Sequence, residues 1–370
     1  MAKLIRLSLY SIFPNFVLVQ LYFTWLSGLA YKGHVPPKRS PWKALSNSSL
    51  AALCGPLISL CAVQFDYWRL LPLGWLITLH GFRTWQLVII HNAAHDNFIR
   101  NTKVNYWIGW LLSVLLIIEP FNSYKQAHSN HHGRALSTQA DPSVQLLELC
   151  GLRSGRSVGT LKLKLAWALV SPSIHLMILG KRMLRNLHGS ELHTRIASTG
   201  YLFFLAVIGW LIGWDKLFIT IVFPLAILYN QAQILRLIVE HHRLSNNHIG
   251  TGKQRIIALT QAVILGAAPP RNKNVIDWLG WIATMFAHTC IRLAILPGDS
   301  GPAHDWHHLE PRGNWPNYVA ARERYQQAAN GKIQFIEIVG FWKALNASLE
   351  SISRARIDTP FDGAEISESH

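Results

Sequence analysis

Long apolar stretches alternate with short basic or histidine-rich ones, and wherever a period is visible it is helical. No alternating strand pattern exceeds a few residues. A helix needs about 20 residues to cross the hydrocarbon core of a bilayer. Residues 7–30 reach that length, although Pro14 and Asn15 interrupt them and Lys3 and Arg6 precede them. A signal peptide is shorter and ends in small residues, so a retained anchor is expected. Residues 31–46 form a basic loop with Lys32, Lys38, Arg39 and Lys43. Residues 47–65 and 70–90 read as a helical hairpin turning at 66–69, and 196–213 and 217–237 as a second turning at 213–216. Between them, 106–120 is too short to cross and reads as a half-inserted or in-plane helix. Residues 161–180 read as amphipathic and lying on the membrane surface. The apolar runs 257–268 and 276–296 make either no crossing or two. On this pattern Lys3 and Arg6 fall on the side opposite the other basic loops, against the positive-inside expectation.

Composition agrees with a membrane protein. Half of the 370 residues are apolar and only 15% are charged, whereas an ordinary globular domain carries about a quarter. Disordered, collagen-like and disulfide-stapled classes are excluded by the same figures. The four cysteines, Cys54, Cys61, Cys150 and Cys290, make no C-x-x-C pair, so thiolate zinc and a redox dithiol are not signalled. A net charge of +16 raises nucleic acid as a partner. The cations, however, flank apolar blocks as in cytoplasmic loops of membrane proteins, so no nucleic acid is expected. The expected architecture is an all-α integral membrane protein with about four or more transmembrane helices in hairpins. A cytoplasmic helical cap would hold the histidines. The expected division is an anchor and basic loop at 1–46, a membrane and catalytic unit at 47–353, and a mobile acidic tail at 354–370.

Histidine is the unusual residue, with 18 copies, several in clusters. His91 and His95 are spaced i, i+4; His128, His131 and His132, and again His304, His307 and His308, are spaced i, i+3, i+4. On a helix each spacing puts the rings on one face. At this histidine content one H-x-x-H-H run arises by chance roughly 0.05 times, and the chain has two. Eight imidazoles without thiolates exceed the needs of one ion, so two ions are implied. All-nitrogen ligation suits iron, copper, zinc or nickel. The H-E-x-x-H pattern of zinc hydrolases is absent, and iron with open positions for O2 fits a greasy substrate better. His34, His175, His188, His193, His248, His288 and His370 have no partner at ligand spacing.

The order of these boxes resembles the membrane fatty-acid desaturase superfamily, which includes desaturases, hydroxylases and carotenoid ketolases. HNAAHDNF (91–98) is similar to its first box and YKQAHSNHHGRALSTQADP (124–142) to its second. LRLIVEH (235–241) is similar to its arginine- and EH-containing segment. GPAHDWHHLEP (301–311), followed by WPNY at 315–318, is similar to its third box. The resemblance spans about 70–325. It implies that His91, His95, His128, His131, His132, His304, His307 and His308 hold two irons, with His241 as an additional ligand. His242 has no counterpart. It further implies O2 as co-substrate and removal of hydrogen from, or hydroxylation of, an unactivated C–H group. The substrate classes are an acyl chain on lipid, CoA or acyl-carrier protein, then an isoprenoid or a small amphiphilic metabolite. No haem-carrier, flavin or nicotinamide motif is present, so an external donor is implied, ferredoxin-like or a haem carrier with its reductase.

Metal-bound imidazoles usually pass their other N–H to a carboxylate or carbonyl. Asp96, Asp141, Glu240 and Asp305 adjoin the clusters and are candidates; the competing reading of each is a cap or solvated loop acid. Within the apolar stretches His80, Arg83, Asn230 and Gln233 are costly in lipid, and they are expected to line a substrate passage or to bridge helices. No catalytic residue beyond the ligands is signalled. A histidine-based membrane metal transporter is the rival from another class, but it needs ligands spread across the membrane, whereas these boxes sit near the ends of apolar blocks. A haem protein needs paired histidines on facing spans, which the compact runs do not provide.

Overall fold

The computed structural model describes residues 2–14, 16–30, 40–133, 135–189, 191–243, 252–271, 274–329 and 333–355. Most of the basic loop expected at 31–46, the tail beyond 355, and His34, His248 and His370 lie outside the described residues. Among the described residues the chain is helical, apart from two three-residue strands noted below.

The N-terminal expectation is corrected. Residues 7–30 do not form one anchor but two helices, α1 (Ala2–Ile12) and α2 (Val17–Ser27), broken near Pro14. Each has 11 residues, about 16 Å of helix and roughly half a bilayer. They fold against each other because the buried Arg6 reaches across the break. Its guanidinium donates to the Leu29 carbonyl at 3.1 Å, to Gln20 Oε1 at 2.8 Å and to Thr24 Oγ1 at 3.2 Å. Leu9, Phe23 and Leu26 then join the main core. Lys3 ends up 3.9 Å from Glu323, shortly after the third histidine box. Neither helix alone has the length of a crossing, so the conflict with the positive-inside expectation no longer rests on a single anchor.

Helix α3 (Pro41–Gln64) starts at a proline, so the division expected at 46 falls inside it. It is the first arm of the predicted hairpin. The second arm is α4 (Leu71–Thr84), which runs without a break through a π-helical stretch, Trp85–Ile90, into α5 (His91–Ala94). The arms approach closely because small residues face each other. A Cβ on Gly55 would sit 2.4 Å from the Thr78 nitrogen, and one on Gly81 would sit 2.5 Å from the Ala52 nitrogen. Small residues at such a seam let dispersion replace a hydrophobic drive that lipid does not supply.

Next come α6 (Thr102–Leu115), capped by the Asn101 side chain, α7 (Phe121–His132) and α8 (Pro142–Leu149). With 14 residues, α6 is about 21 Å long, shorter than a crossing. The single amphipathic helix expected at 161–180 is instead two, α9 (Val158–Val170) and α10 (Pro172–His188), bent by 66°. Pro172 causes the break, because it lacks the N–H that would continue the helix. The carbonyl of Leu169 left open there accepts from His175 Nε2 at 3.0 Å and from Gln231 Nε2 at 2.6 Å.

The second hairpin pairs α11 (Leu192–Ile212) with α12 (Trp214–Leu217), two π-helical stretches (Phe218–Val222 and Pro224–Leu228) and α13 (Tyr229–Glu240). Lys216 at its turn donates to Gln64 Oε1 at 2.5 Å, so both hairpin turns share one end of the molecule. The opposite ends carry His91 and His241. The apolar run at 257–268 is no span: it divides into α14 (Lys253–Leu259) and β1 (Ala262–Ile264). After α15 (Val275–Ala294), α16 (His304–Leu309) and α17 (Tyr318–Ala328) comes β2 (Glu337–Val339), which pairs in parallel with β1. The chain then enters α18 (Phe341–Arg354).

Among the described residues three helical segments are long and apolar enough to cross a membrane: Pro41–Gln64, Leu192–Ile212 and Trp214–Glu240. The bent pair α9 and α10 makes a fourth if it counts as one span. The arm at 70–90 is not among them, diluted by His80, Arg83 and Gln86. Leu53 on α3, Trp210 on α11 and Phe286 on α15 are 65%, 78% and 68% exposed. Such a belt of bare apolar side chains fits lipid rather than water.

Gly81→Ala is expected to wedge α3 from α4 and lower stability by about 1–3 kcal/mol. Thermal unfolding in a neutral detergent measures it; an unchanged midpoint would mean the hairpin seam is loose.

Candidate metal centre

Each histidine box sits at or beside a helix end. His91 opens α5 directly after the π-helical stretch, and His95 caps its far end. π-Helical turns are rare and cluster near functional sites. Asp96 follows in a left-handed turn, φ 58°. Asn97 then donates to the carbonyls of Pro311 and Gly313, both at 2.9 Å, fixing the first box against the loop after the third. His128, His131 and His132 share one face of α7, while His304, His307 and His308 lie on α16. His241 follows α13 in extended backbone, held by a bridge to Thr260.

The nine rings converge. His91, His95, His128, His132 and His307 form one group whose ligand atoms lie within 4.8 Å of one another. His131, His241 and His308 form a second, and Glu240, His241 and His304 adjoin it. Nε2 of His91 lies 2.6 Å from that of His307, and Nε2 of His95 lies 2.9 Å from that of His128. The His241 Nε2 is 3.0 Å from that of His304 and 3.3 Å from that of His308. His132 and His308 stack at 4.1 Å between centroids, joining the groups.

Burial and then the neighbouring rings hold His128, His132, His304, His307 and His308 well below the ordinary imidazole value. Burial brings His95 down to about 4. All six are therefore neutral at physiological pH. A neutral imidazole offers one N–H and one lone pair, so five facing Nε2 atoms cannot all be satisfied by one another. A cation between them removes the conflict, and a donor set of imidazoles with one carboxylate suits a first-row transition metal. The free cysteines take no part.

Of the four acids, Asp141 meets the expectation most directly: Oδ2 accepts from His131 Nδ1 at 2.9 Å. Its burial raises the carboxyl, but the hydrogen bonds from His131 and the Ser137 N–H outweigh it and hold the group at about 2. Glu240 Oε2 is 3.7 Å from His304 Nδ1 and 2.5 Å from Arg236 Nε. Two expectations are corrected. Asp96 pairs with Lys125 at 2.7 Å, and Asp305 accepts three bonds from Arg322 at 2.7–3.0 Å rather than serving a ring. Arg322 also reaches Glu337 at 2.7 Å, tying α16 to α17 and β2.

Tyr318 and Tyr124 were not assigned from sequence. The Tyr318 hydroxyl is 3.4 Å from His307 Nδ1, and the Tyr124 ring stacks on His128 at 5.4 Å. Tyr124 stands four residues before His128, the one signal that could have found it. His242 is buried but joins neither group, and His288 Nδ1 accepts from the Gly266 N–H at 3.1 Å.

Beside the rings lies a cavity of about 290 Å³ whose lining includes Gln86, Tyr124, His128, His131, Gln233 and Arg236. Of the four expected passage residues only Gln233 lines it. Arg83 stands behind, donating to Gln233 Oε1 at 2.7 Å and to Gln86 Oε1. Asn230 donates to the carbonyls of Ala226 at 2.6 Å and His175 at 3.4 Å, bridging α13 to α10. His80, eleven residues or about three helical turns before His91, would share its face on an unbroken α-helix. It turns instead to the Leu293 carbonyl at 3.2 Å, because the π-helical stretch between it and His91 shifts the helical phase.

Apolar helices of crossing length and a histidine cluster able to hold metal define the class, a membrane protein with a candidate metal site. Residues 66–336 match the family model described as fatty acid desaturase, and every clustered histidine falls inside that range. The chain belongs to the fatty acid desaturase family of oxidoreductases. It is 44% identical over 68 residues to the sn-1 oleoyl-lipid 12-desaturase of Arthrospira platensis, covering 18% of each chain. To the endoplasmic-reticulum omega-3 fatty acid desaturase of Vigna radiata var. radiata it is 26% identical over 107 residues, 29% of this chain and 27% of that one. To the chloroplastic sn-2 acyl-lipid omega-3 desaturase (ferredoxin) of Helianthus annuus it is 28% identical over 103 residues, 26% and 22% of the two. The matches thus span about a quarter or less of the relatives' length.

Asp141→Asn keeps the acceptor that caps α8 and removes the charge facing His131. Metal affinity is expected to fall about 10–100-fold, read by competition with a chromophoric chelator; equal affinity would show that the carboxylate only caps. The depressed imidazoles set a pH dependence in the metal-free protein. The unfolded chain takes up protons below about 6.5 while the folded one does not, so stability should fall as pH drops from 6.5 towards 4. Unfolding midpoints across that window check it, and a flat profile would contradict the buried neutral cluster.

Proposed function

We propose that this protein is an O2-dependent oxidoreductase that desaturates a lipid-like substrate, an acyl chain before an isoprenoid. The observation that carries the reading is the convergence of nine imidazoles in two adjoining groups beside a cavity with both apolar and polar walls. Two iron ions are the proposed occupants: His91, His95, His128, His132 and His307 for one, and His131, His241, His304 and His308 for the other. When bound, they supply the O2 activation that lets hydrogen leave an unactivated C–H group.

The chain's own residues then have defined tasks. Asp141 accepts the His131 Nδ1 proton and so leaves its Nε2 lone pair facing inward. Tyr318 stands at the same position for His307, and Glu240 beside His304. Tyr124 lies flat on His128 and limits its rotation. Ile118, Leu146 and Leu237 give an alkyl chain an apolar wall against the face bearing His128 and His131, and exclude water from it. Loss of a second hydrogen yields an alkene, and return of oxygen yields an alcohol. The names of the relatives favour the alkene.

Electrons come from a separate carrier, ferredoxin-like or a haem protein with its reductase; ferredoxin appears in the name of the Helianthus relative. The chain is multi-pass with its histidines on the cytoplasmic side. Lys43, Arg100, Lys103 and Lys125 lie at that end, against Arg69 and Lys216 at the hairpin turns, the distribution that favours a cytoplasmic face.

Purified protein should contain two irons per chain and no haem band. Lipid profiles of cells making it should gain a double bond that is absent with His307→Ala, and that variant should also lose iron. Zinc or copper in place of iron, or identical profiles with and without the active protein, would overturn the reading.

A further inference from the structure

Between Glu148 and Glu191 the chain carries no carboxylate, and the first part of that stretch is dense in cations. Arg153 and Arg156 stand on the loop before α9, and Lys162 and Lys164 on its second turn. All four are exposed, and none has a carboxylate partner among the described residues. The acid that precedes them, Glu148, faces Arg243 at 3.7 Å. Glu350 on the neighbouring α18 accepts from Arg354 at 3.2 Å.

The helix that follows these cations bares an apolar stripe. Leu161, Leu165 and Ala168 face the core, while Leu163, Trp167 and Val170 on the opposite side are 74%, 57% and 70% exposed. Lys162 and Lys164 flank that stripe, each about 100° around the helix from Leu163. Two hydrogen bonds fix the height of the segment. At its start the Ser154 hydroxyl accepts from Arg243 Nη1 at 3.2 Å, just beyond His241. At its end the Leu169 carbonyl accepts from Gln231 at 2.6 Å. Gln231 stands ten residues before His241, about 15 Å further along α13. Thus α9 descends beside α13 from the histidine end into the level of the crossing segment Trp214–Glu240, cations first and bare apolar side chains after them.

A membrane leaflet has its layers in the same order, headgroups outside and acyl chains within. Positive-inside bias explains the sign of the charge and snorkelling explains a single lysine. Neither explains four unmatched cations gathered at the head of one apolar stripe. An acidic protein would engage the cations alone, whereas a lipid engages both parts.

We propose that residues 153–170 form a binding surface for anionic phospholipid in the leaflet on the histidine side. Arg153, Arg156, Lys162 and Lys164 take the headgroup phosphates, and Leu163, Trp167 and Val170 lie along the acyl chains. Guanidinium groups offer paired N–H donors to a phosphate, ammonium groups add point charge, and the attraction accumulates over several cations. This lipid is a neighbour of the protein and not the occupant of the cavity, so the inference holds whatever reaction the histidine cluster supports. Because Ser154 is bonded to Arg243, lipid held here braces the segment that carries His241.

The test reconstitutes the full chain in bilayers of equal phosphatidylglycerol and phosphatidylcholine with the same oleoyl chains. After gentle extraction in a neutral detergent, the lipid retained per chain is counted by mass spectrometry. Retained phosphatidylglycerol should exceed phosphatidylcholine by about threefold or more. The ratio should fall towards one when Arg153→Gln, Arg156→Gln, Lys162→Gln and Lys164→Gln are combined, and persist when Lys162→Arg and Lys164→Arg are combined. Lipid in the cavity is common to all the variants, so the difference between them reads this surface. Either pair of glutamine substitutions should remove part of the excess, which carries the test if the fourfold variant does not fold. A ratio near one in the unaltered protein overturns the proposal, as does a folded fourfold variant that keeps the full excess. A variant that keeps its lipid and loses only the binding of an acidic donor protein also overturns it, since the surface would then be a protein dock.

Discussion

The structure depends on one electrostatic constraint: nine imidazoles are crowded into one small, largely buried volume. Burial alone penalises an imidazolium, and each charged ring would repel its neighbours. Mutual hydrogen bonding cannot relieve the crowding, because one proton satisfies only one pair. A cation held between the rings would relieve it, and because the same contacts that close the core bring the donors together, such binding would be coupled to folding.

Holding the donors needs rigid support, and the fold supplies it by tying the ends of separate helices to one another. Asn97 locks the first box to the loop after the third. The Asp305–Arg322–Glu337 network fastens α16 to the helix and strand that follow. Replacing such a buried network with apolar residues often costs little, whereas removing one partner strands a charge. Its contribution here is better seen as placement than as net stability: a rotation of α16 moves three donors together.

Much of this was legible in the sequence, and the misses have physical causes. The boxes were readable because i, i+3 and i+4 spacing has one geometric meaning on a helix, and the hairpins because long apolar runs have few other uses. Asp305 misled for the same geometric reason: a residue adjacent in sequence to a clustered histidine lies about 100° around the helix from it. Asp96 misled because it leaves the helix in a left-handed turn and meets Lys125 instead. His80 was displaced by a π-helical stretch that nothing in WQLVII announces. The fold-back of α1 and α2 depends on distant partners such as Arg292, whose Nε donates to the Trp25 carbonyl at 3.0 Å. The β1–β2 ladder has three pairs, too short for any periodicity.

The polar residues inside the apolar hairpins then acquire a common explanation. Burying Arg83 is expensive, yet it is placed where α4 meets α13, bonded to Gln86 on its own helix and Gln233 on the other. Both helices end on donors, His91 and His95 in one case and His241 in the other. A cross-link one or two turns before those ends fixes their separation more firmly than apolar packing, which tolerates sliding. The same arginine shares the Tyr229 ring with Arg182 at the cavity wall. The cation that sets the spacing of the histidines thus also shapes the recess in front of them, and both are built on one buried cluster.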